Sequence, residues 1–238
     1  WGIATLLLLL VAIFYRILLN NERTPKSALN NVSLNNISGL YGKHWTKSEV
    51  LKSWVSWPML IAIMAQSMFG TIFFFQQVTL GIEKGWEINQ FAMLVPVYTV
   101  VSIISTFIAG SLIDKFGVRR LVPFYLIPGM LGFLIGSFLK DPIASSLTFA
   151  LLGMTTGLSN SFSGTFWPEF FGTKHLGDVR AIATSSMVIA SALGPLFSGF
   201  FLDLNISLSV QFQLMALIMS ICTIGLGIIS LKTKSDMR

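Results

Sequence analysis

The residues best suited to chemistry lie between positions 110 and 120, where one acid and three bases interrupt a long apolar run. This charged turn contains Gly110, Asp114, Lys115, Gly117, Arg119 and Arg120. An ion pair that exists in one conformation and breaks in another biases a two-state equilibrium by about 1–3 kcal/mol. Glycine permits a tight turn and a close approach of two helices. The turn therefore predicts a gate in which Asp114 caps the next helix or pairs with Arg119 or Arg120. A role in fixing topology alone is the alternative interpretation.

A second group of candidate residues consists of uncharged polar side chains inside apolar segments. These residues, which predict a solute-binding cavity, are Gln66, Gln77, Tyr98, Thr156 and Asn160. Gln66 and Gln77 share one helical face with Gly70 and Phe73, and Thr156 and Asn160 are four residues apart. Packing of small residues between helices is the alternative for the Ser and Thr positions.

Catalytic chemistry has little support. An intramembrane enzyme needs a nucleophile, a metal or an acid–base pair at membrane depth, whereas no acid, Lys, Arg or His lies in the middle of an apolar segment. Cys222 is the only cysteine, so an internal disulfide and a cysteine-based metal site are excluded. We predict no catalytic residue, no metal ligand and no cofactor, and an intramembrane enzyme remains a remote alternative.

The composition indicates a membrane protein. Hydrophobic residues make up 53% of the chain and charged residues 11%, with a mean hydropathy of +0.74, whereas soluble domains carry about 25% charged residues. The net charge of +6 is spread in groups of one to three bases, so no nucleic-acid partner is expected and the lipid bilayer is the expected environment.

The elements that must position these residues are apolar segments of about 20 residues, the length that crosses a bilayer as a helix. The segments cover 1–19, 55–78, 91–113, 121–139, 143–165, 181–202 and 209–231. They predict an all-α, polytopic membrane bundle of seven transmembrane helices. Because the chain begins inside an apolar segment at Trp1, the first helix is expected to be truncated.

The stretch from 20 to 53 is polar and rich in Asn, as in a solvated linker. Thr46 and Glu49 have the spacing of a capping box, which predicts either a short amphipathic helix at the membrane surface or an extension of the next helix. The expected domains are a truncated helix (1–19), a cytoplasmic linker (20–53), a six-helix transmembrane domain (54–231) and a cytoplasmic tail (232–238).

Orientation follows from the basic residues. With seven alternating spans, only Lys84 and Lys140 of the 16 Lys and Arg residues fall on one side. The positive-inside rule makes the rich side cytoplasmic, so we expect a multi-pass protein of the cell membrane with a cytoplasmic C-terminus.

An internal repeat is indicated by two similar helix endings, Gly110-Ser-Leu-Ile-Asp114 and Gly199-Phe-Phe-Leu-Asp203. They lie three segments apart and on opposite predicted sides, as in a repeat of inverted topology. The second to fourth and the fifth to seventh segments therefore predict two three-helix units.

The charged turn resembles the Gly-x-Leu-x-Asp-basic-x-Gly-basic loop of the major facilitator superfamily. Gly110, Leu112, Asp114, Lys115 and Gly117 match it, whereas Val118 stands where a base is common. The resemblance implies the C-terminal half of such a transporter: its sixth helix, central loop and helices seven to twelve. It also implies alternating access, a small solute and a missing N-terminal six-helix half as partner.

The segment 168–180 resembles, more loosely, a loop of monocarboxylate and oxalate/formate transporters, with Glu169, Lys174 and Arg180 as the residues of a second cytoplasmic loop. An organic anion such as a monocarboxylate is thus one candidate solute. The segment 91–113 lacks the charged pair that monocarboxylate carriers use there. A non-transporting sensor or scaffold that retains the carrier fold is the alternative function.

Overall fold

The computed structural model describes residues 39–233, which form helices and short turns without any strand. The predicted first helix, the linker up to 38 and the tail from 234 lie outside the described residues. Two short 3-10 turns occupy Leu40–Gly42 and Val122–Phe124. The α-helices of the described range are α1 Lys47–Lys52, α2 Ser56–Phe75, α3 Gln77–Lys84, α4 Ile88–Phe116, α5 Val118–Leu121, α6 Ile127–Phe138, α7 Pro142–Phe171, α8 Leu176–Asp203 and α9 Leu208–Lys232.

Several helices are long and apolar enough to cross a membrane. Five stretches meet both conditions: Ser56–Phe75, Asn89–Phe116, Val118–Phe138, Leu176–Asp203 and Leu208–Lys232. Helix α7 has 30 residues and hence a length of about 45 Å, but its Thr, Ser and Asn residues make it less apolar than these five. The all-helical membrane fold is confirmed, whereas the count of seven spans stays a prediction.

Two predicted segments are not continuous helices. The segment 55–78 breaks at Gln76, whose φ of −88° and ψ of 20° end α2 and begin α3. The segment 121–139 starts earlier, at Val118, and passes through a 3-10 turn at Val122–Phe124 before α6 begins. Pro123 lies in that turn, and proline lacks the N–H that a helix interior requires.

The helices pack in a pattern with internal symmetry. Helix α4 packs along α7, α2 along α8, and α6 along α9, while α6 also packs on α7 and α9 on α2. If α2 is exchanged with α7, α4 with α8 and α6 with α9, the same set of packed helix pairs results. An inverted three-helix repeat would produce this pattern; the repeat itself remains a prediction.

An aromatic core joins five of the long helices. The buried ring of Phe73 on α2 lies 5.0 Å from Phe149 on α7 and 5.6 Å from Phe91 on α4. Phe133 on α6 and Phe212 on α9 complete it, 5.3 Å apart. The Phe73–Phe149 and Phe133–Phe212 pairs meet edge to face and the Phe73–Phe91 pair is tilted. Aromatic pairs at these distances are favourable, so this core holds the helices beside the cleft described below.

At one end of the bundle, two adjacent residues of α3 bind the ends of two other helices. The Lys84 ammonium donates to Gly136 O (2.8 Å) and Ser137 O (3.1 Å) near the end of α6. The Glu83 carboxylate accepts from Leu208 N (2.7 Å) and Ser209 N (3.0 Å) at the start of α9. Each charge complements the helix dipole that it meets. We call Glu83 and Lys84 the α3 clamp.

At the opposite end, which we call the loop end, the chain before α2 packs on α7. Trp45 N donates to Phe171 O at 3.1 Å, and Gly39 lies against the backbone of Phe170. The predicted capping box is confirmed, since Thr46 N donates to Glu49 Oε2 at 2.8 Å. The segment that it begins is the separate short helix α1, not an extension of α2.

Candidate functional site

A cleft of about 550 Å³ opens between α2, α4 and α7, with α8 at its edge. Four of the five predicted cavity residues line it: Gln66, Tyr98, Thr156 and Asn160. None of the cleft residues carries a charge; the others are Ile63, Ser67, Gly70, Thr71, Phe74, Phe75, Ser159 and Met187. The cleft thus offers amides, hydroxyls and aromatic rings to a ligand.

Close packing of α4 against α7 places Tyr98 and Thr156 side by side. Gly153 and Gly157 of α7 lie so near α4 that a Cβ on either would overlap the carbonyl oxygens of Tyr98 and Ser102. The Tyr98 hydroxyl and Thr156 Oγ1 are consequently within hydrogen-bond distance, at 2.9 Å. This pair forms one wall of the cleft.

The Tyr98 ring is held by Phe74, which meets it edge-on at 5.0 Å. By contrast, the amides of Gln66 and Asn160 make no hydrogen bond to any residue in 39–233. Gln66 is half-buried and Asn160 is exposed in the cleft. These two amides are therefore available to a ligand.

The opposite wall is tied to α8 by residues that the sequence analysis overlooked. Ser67 Oγ donates to Met187 O at 3.0 Å, and Thr71 Oγ1 lies 2.7 Å from Ser191 Oγ. Ser67 and Thr71 are four residues apart and share a helical face next to that of Gln66, so their spacing could have predicted a common polar contact.

Gln77 was predicted to line the same cavity and does not. It lies beyond the break at Gln76, at the start of α3, and its side chain is exposed. Gln66 and Gln77 share a face only in a helix that is continuous over 55–78, and the break at Gln76 interrupts that helix.

The charged turn differs from its predicted form in two respects. Gly117, with φ of 79°, ends α4 and permits the tight turn as expected. Within residues 39–233, a Cβ on Gly110 would meet nothing within 4 Å, so Gly110 mediates no close helix contact in this part of the chain. Gly153 and Gly157 mediate such a contact instead.

Asp114 also lacks its predicted partners. It is exposed, it does not cap α5, and within the described residues it makes no ion pair with Arg119 or Arg120. Arg119 Nη1 donates to Thr233 O at 3.1 Å, just after α9 ends. Lys115 and Arg120 are exposed.

The acid that meets the start of α5 is Glu169. Its half-buried carboxylate lies near the backbone N–H groups of Val118 and Arg119 and near the Arg119 guanidinium, and burial raises its pKa by more than these groups lower it. Free N–H groups at a helix start favour a carboxylate. The two motifs that the sequence singled out are thus adjacent in space, joined through Glu169 instead of Asp114.

The predicted second cytoplasmic loop is mostly helical. Only residues 172–175 separate α7 from α8, so Glu169 and Arg180 are helix residues. Arg180 Nη2 donates to Gly164 O of α7 at 2.7 Å, and Lys174 is exposed. This hydrogen bond connects α8 to α7 near the turn formed by residues 172–175.

Among the residues that sequence reasoning missed, Lys84 stands out. From the sequence it was only one of two basic residues on the side of the membrane with few bases. In the structure it is buried, with 9% of its surface exposed. Burial lowers its pKa, and its ammonium is compensated by the carbonyls of α6. The adjacent and opposite charges of Glu83 and Lys84 could have indicated from the sequence that these residues contact other helix ends.

Comparison with known proteins identifies the family. The family model of the Major Facilitator Superfamily matches residues 59–236. The chain is 24% identical over 123 residues to an uncharacterized MFS-type transporter, YfkF, of Bacillus subtilis, covering 52% of this chain and 32% of that protein. It is 29% identical over 135 residues to the bacillibactin exporter of the same organism, covering 50% and 33%.

A plant protein, the probable plastidic glucose transporter 1 of Arabidopsis thaliana, is 27% identical over 123 residues, covering 51% of this chain and 23% of that protein. The matched segments thus span a third or less of each relative.

Proposed function

The chain belongs to the Major Facilitator Superfamily, and from that premise we propose that it forms part of a secondary transporter that moves a small solute by alternating access. The relatives named above are described as transporters, which supports transport over catalysis. A sensor or scaffold that keeps the carrier fold is the alternative.

The observation that carries the proposal is the cleft between α2, α4 and α7. A solute site needs a concave surface with a few convergent polar groups, and here the amides of Gln66 and Asn160 and the Tyr98–Thr156 hydroxyl pair converge on one space. We propose that a second helical unit of the same transporter completes the cleft.

The lining favours an uncharged, hydrogen-bonding part of the solute. All cleft residues are neutral, and an anion buried without an opposite charge or several donors is strongly destabilised. An organic anion such as a monocarboxylate would need its counter-charge from the completing unit. The relatives themselves are named for different solutes, glucose and bacillibactin.

The turn at Gly117 and the residues around it are proposed as a gate. Glu169 lies beside Val118 and Arg119 where α7 packs on α5, and Arg119 also donates a hydrogen bond to the end of α9. These polar contacts can break and re-form without disturbing the apolar core. Asp114, which is exposed on the same turn, is proposed to find its partner in the completing unit.

The bias of basic residues supports an orientation with the loop end in the cytoplasm. Arg119, Arg120, Lys174 and Lys232 lie at that end, whereas Lys84 lies at the other. We propose that the protein is a multi-pass component of the cell membrane with its C-terminus in the cytoplasm.

The same Gln→Ala substitution at two positions tests the cleft, because Gln66 lines it and Gln77 lies outside it. Uptake of labelled sugars, amino acids and small carboxylates would be measured in vesicles that hold the complete transporter. For the solute that is transported, Gln66→Ala should raise KM about tenfold, as expected for a lost hydrogen bond, whereas Gln77→Ala should leave it unchanged. Equal effects of the two variants would reject the cleft, and no saturable flux for any solute would reject transport.

A further inference from the structure

A groove of about 410 Å³ at the loop end has the composition of a lipid-headgroup site, and it is separate from the cleft. Tyr41, Trp45 and Trp54 supply its aromatic surface, and Glu49 and Lys52 its charged groups. The exposed fractions of Tyr41 and Trp54 are 60% and 46%. The Tyr41 and Trp45 rings are neighbours, with centroids 6.4 Å apart, and contiguous exposed apolar surface marks interaction sites.

The groove carries excess positive charge. Among the described residues that line it, Glu49 is the only acid, and it is paired with Lys43 at 2.5 Å. Lys52 makes no ion pair within residues 39–233, and neither does Lys232, whose ammonium lies 5.4 Å from the centroid of the Trp54 ring. In this part of the chain, two lysines at the groove therefore have no carboxylate that neutralises them.

The position of the groove along the helices places it at a membrane surface. Helix α2 begins at Ser56, two residues after Trp54, and α9 ends at Lys232. Both α2 and α9 are among the stretches that can cross a membrane, so their ends mark the boundary between lipid and water. Tryptophan and lysine are enriched at this level.

The neighbouring Trp57 is fixed in the same zone. Its Nε1 donates to Leu51 O at 3.0 Å, and half of its surface is exposed. Leu51 of α1 is also exposed. Together with Trp54, these residues give the edge of the groove an apolar rim that suits acyl chains.

We propose that this groove binds the headgroup of an anionic phospholipid. Lys52 and Lys232 contact the phosphate, while the rings of Tyr41 and Trp54 cover the glycerol and the first methylenes. Each lysine near an anionic membrane surface contributes roughly a fivefold increase in affinity. A neutral lipid lacks the net charge that these two lysines would neutralise.

The test uses the detergent-purified chain titrated with short-chain phosphatidylglycerol or phosphatidylcholine, with tryptophan fluorescence as the readout. Phosphatidylglycerol should bind at least tenfold more tightly. Lys232→Gln should weaken that binding about fivefold, and Lys52→Gln combined with Lys232→Gln about 25-fold. Arginine at both positions should restore it, which controls for damage to the fold.

Lys140→Gln is the matched control, because it removes the same charge from an exposed lysine at the far end of the bundle. It should leave phosphatidylglycerol binding unchanged. An equal loss of phosphatidylglycerol affinity with Lys140→Gln would show unspecific charge attraction. Equal affinities for phosphatidylglycerol and phosphatidylcholine would show that the groove does not select the headgroup. Equally tight binding of free glycerol phosphate would indicate a soluble ligand. Each of these results overturns the proposal.

Discussion

Two acids near the charged turn make different predictions at the scale of single residues. Glu169 is half-buried beside Val118 and Arg119, and burial raises its pKa, whereas Asp114 is exposed. A raised carboxyl pKa means that the folded state disfavours the charge, whereas substitution of an exposed and unpaired side chain changes stability by no more than about 0.5 kcal/mol.

Burial raises the pKa of Glu169, so we expect Glu169→Gln to leave the free energy of unfolding unchanged or to raise it slightly at neutral pH, because the amide avoids the desolvation of a carboxylate. Asp114→Asn should leave stability unchanged and slow transport, because we propose that its partner lies in the completing unit. Thermal denaturation in detergent and vesicle uptake separate the two effects. Destabilisation by Glu169→Gln would show that its contacts at the start of α5 outweigh the desolvation of its charge, and destabilisation by Asp114→Asn would place Asp114 in a static ion pair.

Glu49 provides a prediction about pH. Its pKa is lowered from 4.5 to about 2 by the hydrogen bond from Lys43 and by those from Thr46. A lowered carboxyl pKa stabilises the folded state above pH 4.5, and this stabilisation is lost as the pH falls towards 2. The start of α1 should thus persist at pH 4 and fray near pH 2.

The carboxyl ¹³C shift of Glu49 should titrate with a midpoint near pH 2. Lys43→Gln should move the midpoint upward, because it removes the largest cause of the shift. A midpoint near 4.5 in the unmodified chain would show that the capping box does not persist in solution.

At the scale of helices, the contact between α4 and α7 depends on two glycines. A Cβ on Gly157 would overlap Ser102 O, whereas a Cβ on Gly164 of the same helix would meet nothing within 4 Å. Overpacking of this kind costs about 1–3 kcal/mol. Gly157→Ala should therefore destabilise the protein and separate Tyr98 from Thr156.

Gly164→Ala is the control, and it should be neutral or slightly stabilising because alanine favours a helix. Thermal denaturation of both variants in the same detergent gives the comparison. If the Gly157 variant were as stable as the Gly164 variant, the close approach of α4 and α7 would be refuted.

Periodicity predicted the helices well because twenty apolar residues have few alternatives to a membrane helix. It also predicted that Thr156 and Asn160 of α7 share a face, and both line the cleft. It failed at Gln76 and Gly110, where the outcome depends on a single backbone dihedral or on which neighbour lies opposite. Neither property is contained in the local spacing of residue types.

For the whole molecule, the sequence pattern predicts the fold class, whereas the helix packing shows which segments lie together. The composition sufficed to predict a membrane bundle, and the Gly–Asp endings indicated a repeat. The symmetric set of helix pairs supports that repeat through contacts that no single segment encodes. The joining of the two loop motifs by Glu169 likewise required tertiary structure, because residues 118 and 169 are far apart in sequence.

The α3 clamp has a consequence for how the bundle can move. Because Glu83 and Lys84 attach α3 to both α6 and α9, a movement of α2 that keeps these contacts must bend the chain between α2 and α3. The break at Gln76 lies there, next to Phe74 and Phe75 of the cleft wall. We expect a tilt of α2 to concentrate at this one residue, and to widen or narrow the cleft while the α3 clamp stays in place.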